Sequence, residues 1–191
     1  MTIEHPESDR PANARMLAAL GVEPASAADI AAIDAQLGRV PRGVIGIASR
    51  CPAGHPNVVA TAPRLPDGTP FPTTFYATCP QLTGAISTLE ASGLMREMSE
   101  RLAEEPRTAA AYLAAHEDYL ARRAQLGEVP EIEGISAGGM PGRVKCLHVL
   151  VGHALAAGPG VNPFGDEAIA ALAERGLWPT GACAAAPGRP D

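Results

Sequence analysis

Residues 73–91, TTFYATCPQLTGAISTLEA, change their hydrophobic period at Pro80, and this change decides the fold class. Up to Ala77 the stretch is short and rich in threonine and aromatic residues, which is typical of a β-strand. After Pro80 the apolar residues recur every three or four positions, which predicts a helix over 80–91. Proline itself favours the first position of a helix, because an N–H group there has no partner within the helix. The stretch therefore predicts a strand that leads directly into a helix.

The residues before this point predict a small antiparallel sheet. Short β-prone runs, separated by turn segments rich in proline and glycine, lie at 44–48, 58–61 and 73–77. Further upstream, Ser26 and Asp29 are spaced like the cap of a short helix that closes at Gly38. Residues 1–24 are polar and interrupted by prolines, so we expect them to be an extension of the domain.

The residues after Pro80 predict a mainly helical second half. Helical spacing predicts helices over 80–91, 94–103, 106–126 and 141–157, and Asn162 with Pro163 predicts the cap of a last helix that ends at Gly176. The helix over 141–157 is apolar enough to be central. We therefore expect an α+β fold, a small antiparallel sheet packed on a mainly helical bundle, in a single domain over 25–178. Residues 179–191 form a tail rich in alanine, glycine and proline.

Composition and charge exclude several classes of function. Of the 191 residues, 46% are hydrophobic, enough for a core, and the formal net charge is −6. Nucleic acid and anionic lipid attract a basic surface, so broad binding to either is not expected. No stretch approaches the roughly 20 apolar residues of a membrane span, and the first residues lack the apolar region of a secretory signal. We expect a cytoplasmic protein whose four cysteines are thiols or metal ligands, and the oligomeric state stays open.

Cys79 is the first candidate for chemistry, because it directly precedes the predicted helix start at Pro80. Unpaired N–H groups and the helix dipole favour a negative group there, so they would stabilise a thiolate that reacts or binds metal. The alternative is that Cys79 is a small buried hydrophobic residue. Cys51 stands in the turn CPAGHP with His55 four residues later, a spacing that resembles half of a metal site but is weak evidence alone.

The predicted central helix carries three further candidates, Cys146, His148 and His153. Cys146 and His153 would stand about 10 Å apart along the helix axis, too far to bind one ion. His148, two residues after Cys146, is expected on nearly the opposite side of the helix. The helix is therefore expected to supply one metal ligand, Cys146, with His148 or His153 as a proton carrier in a catalytic site.

The four cysteines together suggest a metal centre. Cys51, Cys79 and Cys146, with Cys183 or a histidine as the fourth ligand, would suit zinc or an iron–sulfur cluster if the fold brings them together. Three thiolates that converge without a cation would repel one another, so convergence would require a metal or protonated thiols. Scattered single cysteines are a weak motif, and four unrelated thiols are the alternative.

Two other features offer chemistry. His116 and Glu117 lie on the predicted helix over 106–126 and would do acid–base catalysis with a partner elsewhere, whereas the usual interpretation is a solvated face with ion pairs. The glycine-rich loop GISAGGM precedes the helix start predicted at 141, where free N–H groups with Arg143 and Lys145 would bind a small anionic ligand. The loop lacks the P-loop pattern and the dinucleotide fingerprint, so nucleotide binding is not expected, and a flexible connector is the alternative.

Four segments, in this order, resemble one known family: CPAGHPNVVATAPRLPDGTPFPTTFYATCPQL, LEASGLMREMSERLAEE, AAYLAAHEDYLARR and GGMPGRVKCLHVLVGHALAAGPGVNP. The chain resembles the uncharacterised bacterial family catalogued as domain of unknown function 501 (DUF501), over roughly residues 44–163. The resemblance implies a cytoplasmic bacterial protein but no activity, substrate or cofactor. It also implies a site, because the family pattern includes the positions of Cys51, Cys79, His116, Glu117, Cys146, His148 and His153. The sequence Gly54-His55-Pro56 departs from that pattern and counts against His55 as a ligand.

Two classes of function follow from these residues. In the first, the chain is a metal-dependent or thiol-dependent enzyme or a redox protein, with Cys79 and Cys146 as its central groups. In the second, it is a non-catalytic binding or regulatory module whose cysteines are structural. A polar pocket that holds a histidine beside the cysteine sulfurs would favour the first class.

Overall fold

The structure is a computed structural model that describes residues 10–178, with side chains from residue 14 onward. Within that range the chain forms seven α-helices and a three-stranded antiparallel sheet, so the predicted α+β class is confirmed. None of these helices is both long enough and apolar enough to span a membrane. Cys183 and the tail expected over 179–191 lie outside the described residues.

The elements are α1 (Arg10–Ala19), α2 (Ala27–Leu37), β1 (Val44–Arg50), β2 (Pro56–Thr61), β3 (Phe75–Ala77), α3 (Pro80–Glu90), α4 (Leu94–Glu104), α5 (Pro106–Leu126), α6 (Leu147–Ala157) and α7 (Pro163–Glu174).

The sheet has the order β1, β2, β3, and its middle strand is buried along its whole length. Successive side chains of a strand point to opposite faces of the sheet. Val58 and Ala60 belong to the main hydrophobic core, which the helical bundle covers. Val59 instead packs with Ile33 of α2 and Ile47 of β1 in a smaller cluster. The sheet is therefore covered on both faces, by the bundle on one and by α2 on the other.

Local sequence fixes both ends of α2, as predicted. The Ser26 hydroxyl accepts a hydrogen bond from the Asp29 N–H, and the Asp29 carboxylate accepts one from the Ser26 N–H. Gly38 ends the helix in the left-handed conformation, with φ 65°. The Arg50 guanidinium donates two hydrogen bonds to Asp29, at 2.7 and 3.1 Å, and holds the pKa of that carboxyl well below its usual range. This ion pair fastens α2 to β1.

The first helix joins the core more closely than the sequence suggests. Leu17, Leu20 and Val22 are buried in the main core, and Glu23 exchanges two backbone hydrogen bonds with Ile47 of β1. The extension expected over 1–24 therefore becomes part of the domain before residue 24, because α1 carries apolar side chains that the core buries. By contrast, α3, α4 and α5 begin where the sequence predicts.

Helix α6 lies at the centre of the molecule and contacts β3, α3 and α7. Its central position is as predicted, but it begins at Leu147 and not at Pro141. Gly138 and Gly139 have positive φ, and they turn the preceding loop so that their carbonyls accept hydrogen bonds from N–H groups within 141–146. The segment therefore makes loop hydrogen bonds in place of a first helical turn.

Two glycines allow neighbouring elements to approach α6 closely. Gly152 of α6 lies against β3, and a Cβ atom there would stand 2.9 Å from the Phe75 carbonyl oxygen. Gly165 of α7 lies against the Leu150 carbonyl, and its Cβ would stand 2.7 Å from the Cβ of Ala154. Backbone atoms line both contacts, so a side chain cannot be added without moving a helix or strand.

We expect Gly165→Ala to lower the free energy of unfolding by about 1–3 kcal/mol, because the added methyl group overlaps the backbone of α6. Gly84→Ala is the matched control, since Gly84 lies within α3 with open space where its Cβ would be. Alanine there should raise the free energy of unfolding by about 0.5–1 kcal/mol. Urea denaturation followed by circular dichroism measures both variants. Equal destabilisation of the two would contradict the close packing of α6 and α7.

Candidate functional site

A cleft of about 530 Å³ opens between the end of α2, β3 and the starts of α3 and α6. Its walls combine apolar side chains with threonine, glutamine and tyrosine, and they include two of the candidate residues, Cys146 and His148. A volume of this size suits a small organic ligand. The lining residues are Gln36, Leu37, Thr73, Phe75, Tyr76, Ala77, Thr78, Pro80, Thr83, Cys146, His148 and Val149.

Cys146 and His148, which line this cleft, lie close to Glu90. One ring nitrogen of His148, the Cys146 sulfur and a Glu90 carboxylate oxygen lie within 4.8 Å of one another, and all three side chains are half-buried. Among residues 10–178 this is the one group of three histidine, cysteine or acidic side chains with that spacing. We call these three residues the Cys146 cluster. A thiol, an imidazole and a carboxylate thus stand together beside a cleft that a ligand can enter.

The pairing of Cys146 with His148 corrects the expectation that they lie on opposite sides of a helix. Cys146 is the residue before α6, and its backbone is extended, with φ −153° and ψ 110°. The rotation of 100° per residue that separates side chains in a helix does not apply at that position. The thiol therefore turns toward the same side as the imidazole of the first helical turn.

Glu90 joins α3 to the start of α6, and it is the site residue that sequence reasoning missed. Its Oε1 accepts a hydrogen bond of 2.6 Å from the Leu147 N–H and lies 3.3 Å from Nδ1 of His148. The available signal was the spacing of Thr83, Ser87 and Glu90, which places three polar residues on one face of α3. That face contacts His148, because the Thr83 carbonyl and the Ser87 hydroxyl lie 3.2 and 3.5 Å from Nε2.

His148 is held as a cation by its surroundings. Its Nδ1 faces the Glu90 carboxylate and its Nε2 faces the Thr83 carbonyl, so acceptors lie beside both nitrogens. Only the protonated ring can donate to two acceptors at once. The hydrogen bond with the Cys146 sulfur, followed by the charges of Glu90 and Cys146, raises the pKa of His148 to about 9 against the opposing effect of burial.

The other described cysteines, Cys51 and Cys79, are buried in the main core. Cys79 occupies the predicted position before α3, with Pro80 next, and is 1% exposed. The Cys51 sulfur lies 3.8 Å from Nδ1 of His55 across the turn between β1 and β2. All three described cysteines are reduced, and only Cys146 belongs to a group of three possible ligands within the described residues. In this part of the chain the expected convergence of the cysteines on one ion is therefore absent, because two of them pack into the core.

His153 is completely buried and belongs to a polar network away from the cleft. Its ring is parallel to Phe75 at a centroid distance of 5.9 Å and edge-on to Tyr119 at 5.1 Å. Nε2 lies 2.8 Å from the Asp118 carboxylate, and Nδ1 lies 3.2 Å from the Asn162 amide nitrogen. Because the amide nitrogen donates, Nδ1 accepts, and Nε2 carries the proton that is donated to Asp118. His153 therefore lies in a buried polar network and does not line the cleft, and its expected role as a proton carrier stays a prediction.

His116 and Glu117 lie on α5, as predicted, but neither lines the cleft. Nδ1 of His116 is 2.9 Å from the Ser136 hydroxyl, which donates to the Met140 carbonyl. Burial lowers the pKa of His116. Glu117 is exposed. His116 therefore fastens the loop before α6, and the structure does not bring this pair to the Cys146 cluster.

Arg143 and Lys145 are exposed on the loop before α6 and do not stand at a helix start. The N–H groups of residues 143–145 donate to carbonyls of the glycine loop and to the hydroxyl of Ser99. The first N–H group of α6 itself is taken by Glu90. The backbone donors expected at this position are therefore used by the protein's own acceptors, and anion binding by Arg143 and Lys145 stays a prediction.

One family model matches this chain. It is described as "Protein of unknown function (DUF501)" and matches residues 47–170, more than half of the 191 residues. The chain belongs to the DUF501 family. No curated protein and no solved structure matches it.

The DUF501 match contains all three residues of the Cys146 cluster, together with β3 and the start of α3. It does not extend to α2, which supplies Gln36 and Leu37 to the cleft. The Cys146 cluster therefore lies inside the DUF501 match, and the part of the cleft wall that α2 supplies lies outside it.

For this DUF501 domain we expect His153→Phe to lower the free energy of unfolding by about 1–3 kcal/mol. Phenylalanine keeps the ring contacts with Phe75 and Tyr119 but leaves Asp118 and Asn162 without their imidazole partner. Urea denaturation measures the change, with His55→Gln as the control on a surface turn. Stability equal to that of the wild type would show that the buried network contributes nothing measurable.

Proposed function

We propose that this chain is a thiol-dependent acyl-transfer enzyme, in which Cys146 is the nucleophile and His148 the proton carrier. Glu90 positions the imidazole. The observation that carries the proposal is the gathering of these three side chains beside a cleft that Cys146 and His148 line. A nucleophile beside a proton carrier that a third group orients is the recurring arrangement of covalent catalysis.

In the first half of the reaction the Cys146 thiolate attacks the carbonyl carbon of an amide or ester. A carbon–sulfur bond forms, and the π electrons of the carbonyl move onto its oxygen. When this intermediate collapses, the bond from carbon to the leaving nitrogen or oxygen breaks, and the leaving atom takes a proton from the His148 imidazolium. An amine or alcohol departs, and a thioester remains on Cys146.

In the second half, water enters and neutral His148 accepts one of its protons. The water oxygen bonds to the thioester carbon, the carbon–sulfur bond breaks, and its electron pair returns to sulfur. A carboxylic acid leaves, and the thiolate and imidazolium are restored. The net reaction is hydrolysis, which needs no oxidant or reductant.

The start of α6 supports the oxyanion that forms in both halves. The first N–H groups of a helix have no acceptor within it. Glu90 takes that of Leu147, and the next two belong to His148 and Val149, the second and third residues after Cys146. Backbone donors placed beside a nucleophile stabilise the negative oxygen of the intermediate, and the positive end of the helix dipole adds to this effect.

We expect iodoacetamide to modify Cys146 at least tenfold faster than Cys51 or Cys79 at about pH 6.5, where ordinary thiols are mostly protonated. Peptide mapping by mass spectrometry gives the rate at each cysteine. His148→Gln should lower the rate at Cys146 about tenfold or more, because it removes the cation that stabilises the thiolate. Glu90→Gln should lower it less, since glutamine keeps an acceptor for the Leu147 N–H and loses only the charge.

His116→Gln is the control for this experiment, because His116 lies outside the Cys146 cluster and contacts Ser136. Its rate of alkylation should equal that of the wild type. A Cys146 that reacts no faster than the buried cysteines, or that is indifferent to His148→Gln, would remove thiol catalysis from consideration.

A second candidate function uses the same three side chains as ligands of a zinc ion. The specific observation in its favour is the spacing of the sulfur, nitrogen and oxygen atoms, which lie within 4.8 Å of one another. Catalytic zinc sites commonly have three such ligands and a fourth position open to substrate. The Thr83 carbonyl beside Nε2 of His148 would orient the ring while Nδ1 bound the metal. Zinc would then activate a water molecule beside the cleft.

The zinc candidate predicts one tightly bound ion per chain, measured by elemental analysis of protein purified without oxygen. Cobalt substitution should give a thiolate-to-metal absorption band that Cys146→Ser abolishes and Cys51→Ser retains. His148→Gln should lower the affinity for zinc more than tenfold. Purified protein that is free of metal and has no affinity for added zinc or cobalt would exclude this candidate and leave the thiol mechanism.

A further inference from the structure

The lining of the cleft is almost free of charge. Among the described residues that line it, none is a lysine, arginine, aspartate or glutamate, and the pKa of His148, raised to about 9, favours its charged form near neutral pH. The remaining polar side chains are neutral, namely Gln36, Tyr76 and three threonines. A phosphate or carboxylate group on a ligand is normally met by lysine, arginine or a set of free N–H donors. This lining offers no lysine or arginine.

Two of the neutral polar side chains carry buried oxygen atoms that find no hydrogen-bond partner among the described residues. One is the Thr78 hydroxyl, on a side chain only 2% exposed, and the other is Oε1 of Gln36. The amide of Gln36 has a fixed orientation, because its Nε2 donates to the Pro56 carbonyl at 2.9 Å. Its Oε1 is therefore an acceptor in need of a donor. A buried polar atom without a partner is unfavourable, so each position is suited to a group supplied from outside the chain.

We infer that the cleft binds an uncharged carboxamide substrate, such as a peptide or amino-acid amide, whose N–H group donates to Gln36 and whose polar groups pair with the Thr78 hydroxyl. This inference rests on the proposed thiol mechanism and names its substrate class. The apolar side chains of Leu37, Phe75 and Val149 in the same lining contact the hydrocarbon part of the substrate. Carboxylate-bearing and phosphate-bearing substrates are disfavoured, since they would leave the Gln36 acceptor without a donor and the lining offers them no lysine or arginine.

Three alkylating probes with one reactive group test the inference: iodoacetyl-glycinamide, iodoacetyl-glycine and iodoacetyl-glycine dimethylamide. They differ only in ending with a primary amide, a carboxylate or an amide that has no terminal N–H. The rate of reaction at Cys146 is measured for each and divided by its rate with glutathione. We expect the primary amide to exceed the other two by about tenfold, because it alone supplies an uncharged terminal N–H donor.

Thr78→Val and Thr74→Val provide a matched pair of variants. Both threonines are buried, at 2% and 0% exposure, and both hydroxyls find no partner among the described residues, but only Thr78 lines the cleft. Thr78→Val should lower the rate of reaction of Cys146 with the primary amide about threefold or more, and Thr74→Val should leave that rate unchanged. Neither variant should lower the free energy of unfolding, because valine removes a buried hydroxyl that lacks a partner.

The possible outcomes separate the inference from the proposed function. Three outcomes would overturn the inference and leave thiol catalysis intact. These are equal relative rates at Cys146 for all three probes, a highest relative rate for the carboxylate probe, or equal effects of the two valine variants. Slow reaction of Cys146 with every probe would instead overturn the proposed function, and with it the inference that depends on it.

Discussion

The burial of α6 on several sides is the constraint on which the rest of this structure depends. The helix lies against β3, α3 and α7, and seven of its eleven residues are buried. Such a position requires close approach of neighbouring backbones, which Gly152 and Gly165 permit. His153 of α6 is fully buried, so both of its ring nitrogens require hydrogen-bond partners. Asp118 and Asn162 supply these partners. Since Asn162 also caps α7, one amide fixes both the tautomer of the buried ring and the start of the next helix.

The start of α6 is set by a side chain from a distant part of the sequence. Glu90 accepts the N–H group of Leu147 across 57 positions, so the end of α3 determines where α6 begins. The same carboxylate lies beside the imidazole of His148. The geometry of the Cys146 cluster is therefore built into the contact between two helices, and any movement of α3 against α6 would separate the carboxylate from the thiol and the imidazole. A site placed on rigid elements in this way keeps its groups aligned without a ligand.

The fold was largely predictable from sequence because its boundaries depend on local signals. Pro80 and Pro106 at helix starts, the Ser26 cap and the glycine at the end of α2 each act within a few residues. The start of α6 was not predictable, because its cap comes from Glu90 and its preceding loop bonds to Ser99. Both partners are distant in the chain.

The site was predictable in its residue types but not in its pairing. Cys146 and His148 were identified from their chemistry, but helical geometry was assumed at Cys146, which is extended. The only sequence signal for Glu90 was its helical spacing from Thr83 and Ser87, which is weak. Nothing in the local sequence distinguished His153, which is buried, from His148, which lines the cleft. Such distinctions depend on burial, and burial follows from contacts between elements that periodicity alone does not reveal.

The cleft joins two walls that separate interactions hold in place. The wall that holds Cys146 and His148 depends on the hydrogen bond from the Leu147 N–H to the Glu90 carboxylate, within the segment that the DUF501 family model matches. The wall from α2 depends on the ion pair of Asp29 with Arg50 and on the hydrogen bond from Gln36 to Pro56, which fasten that helix to the sheet. Because α2 precedes the matched segment, its side chains reach the cleft from outside the residues that the family model matches. A substitution on α2 can therefore change this wall of the cleft without breaking the hydrogen bond between Leu147 and Glu90 that holds the other wall.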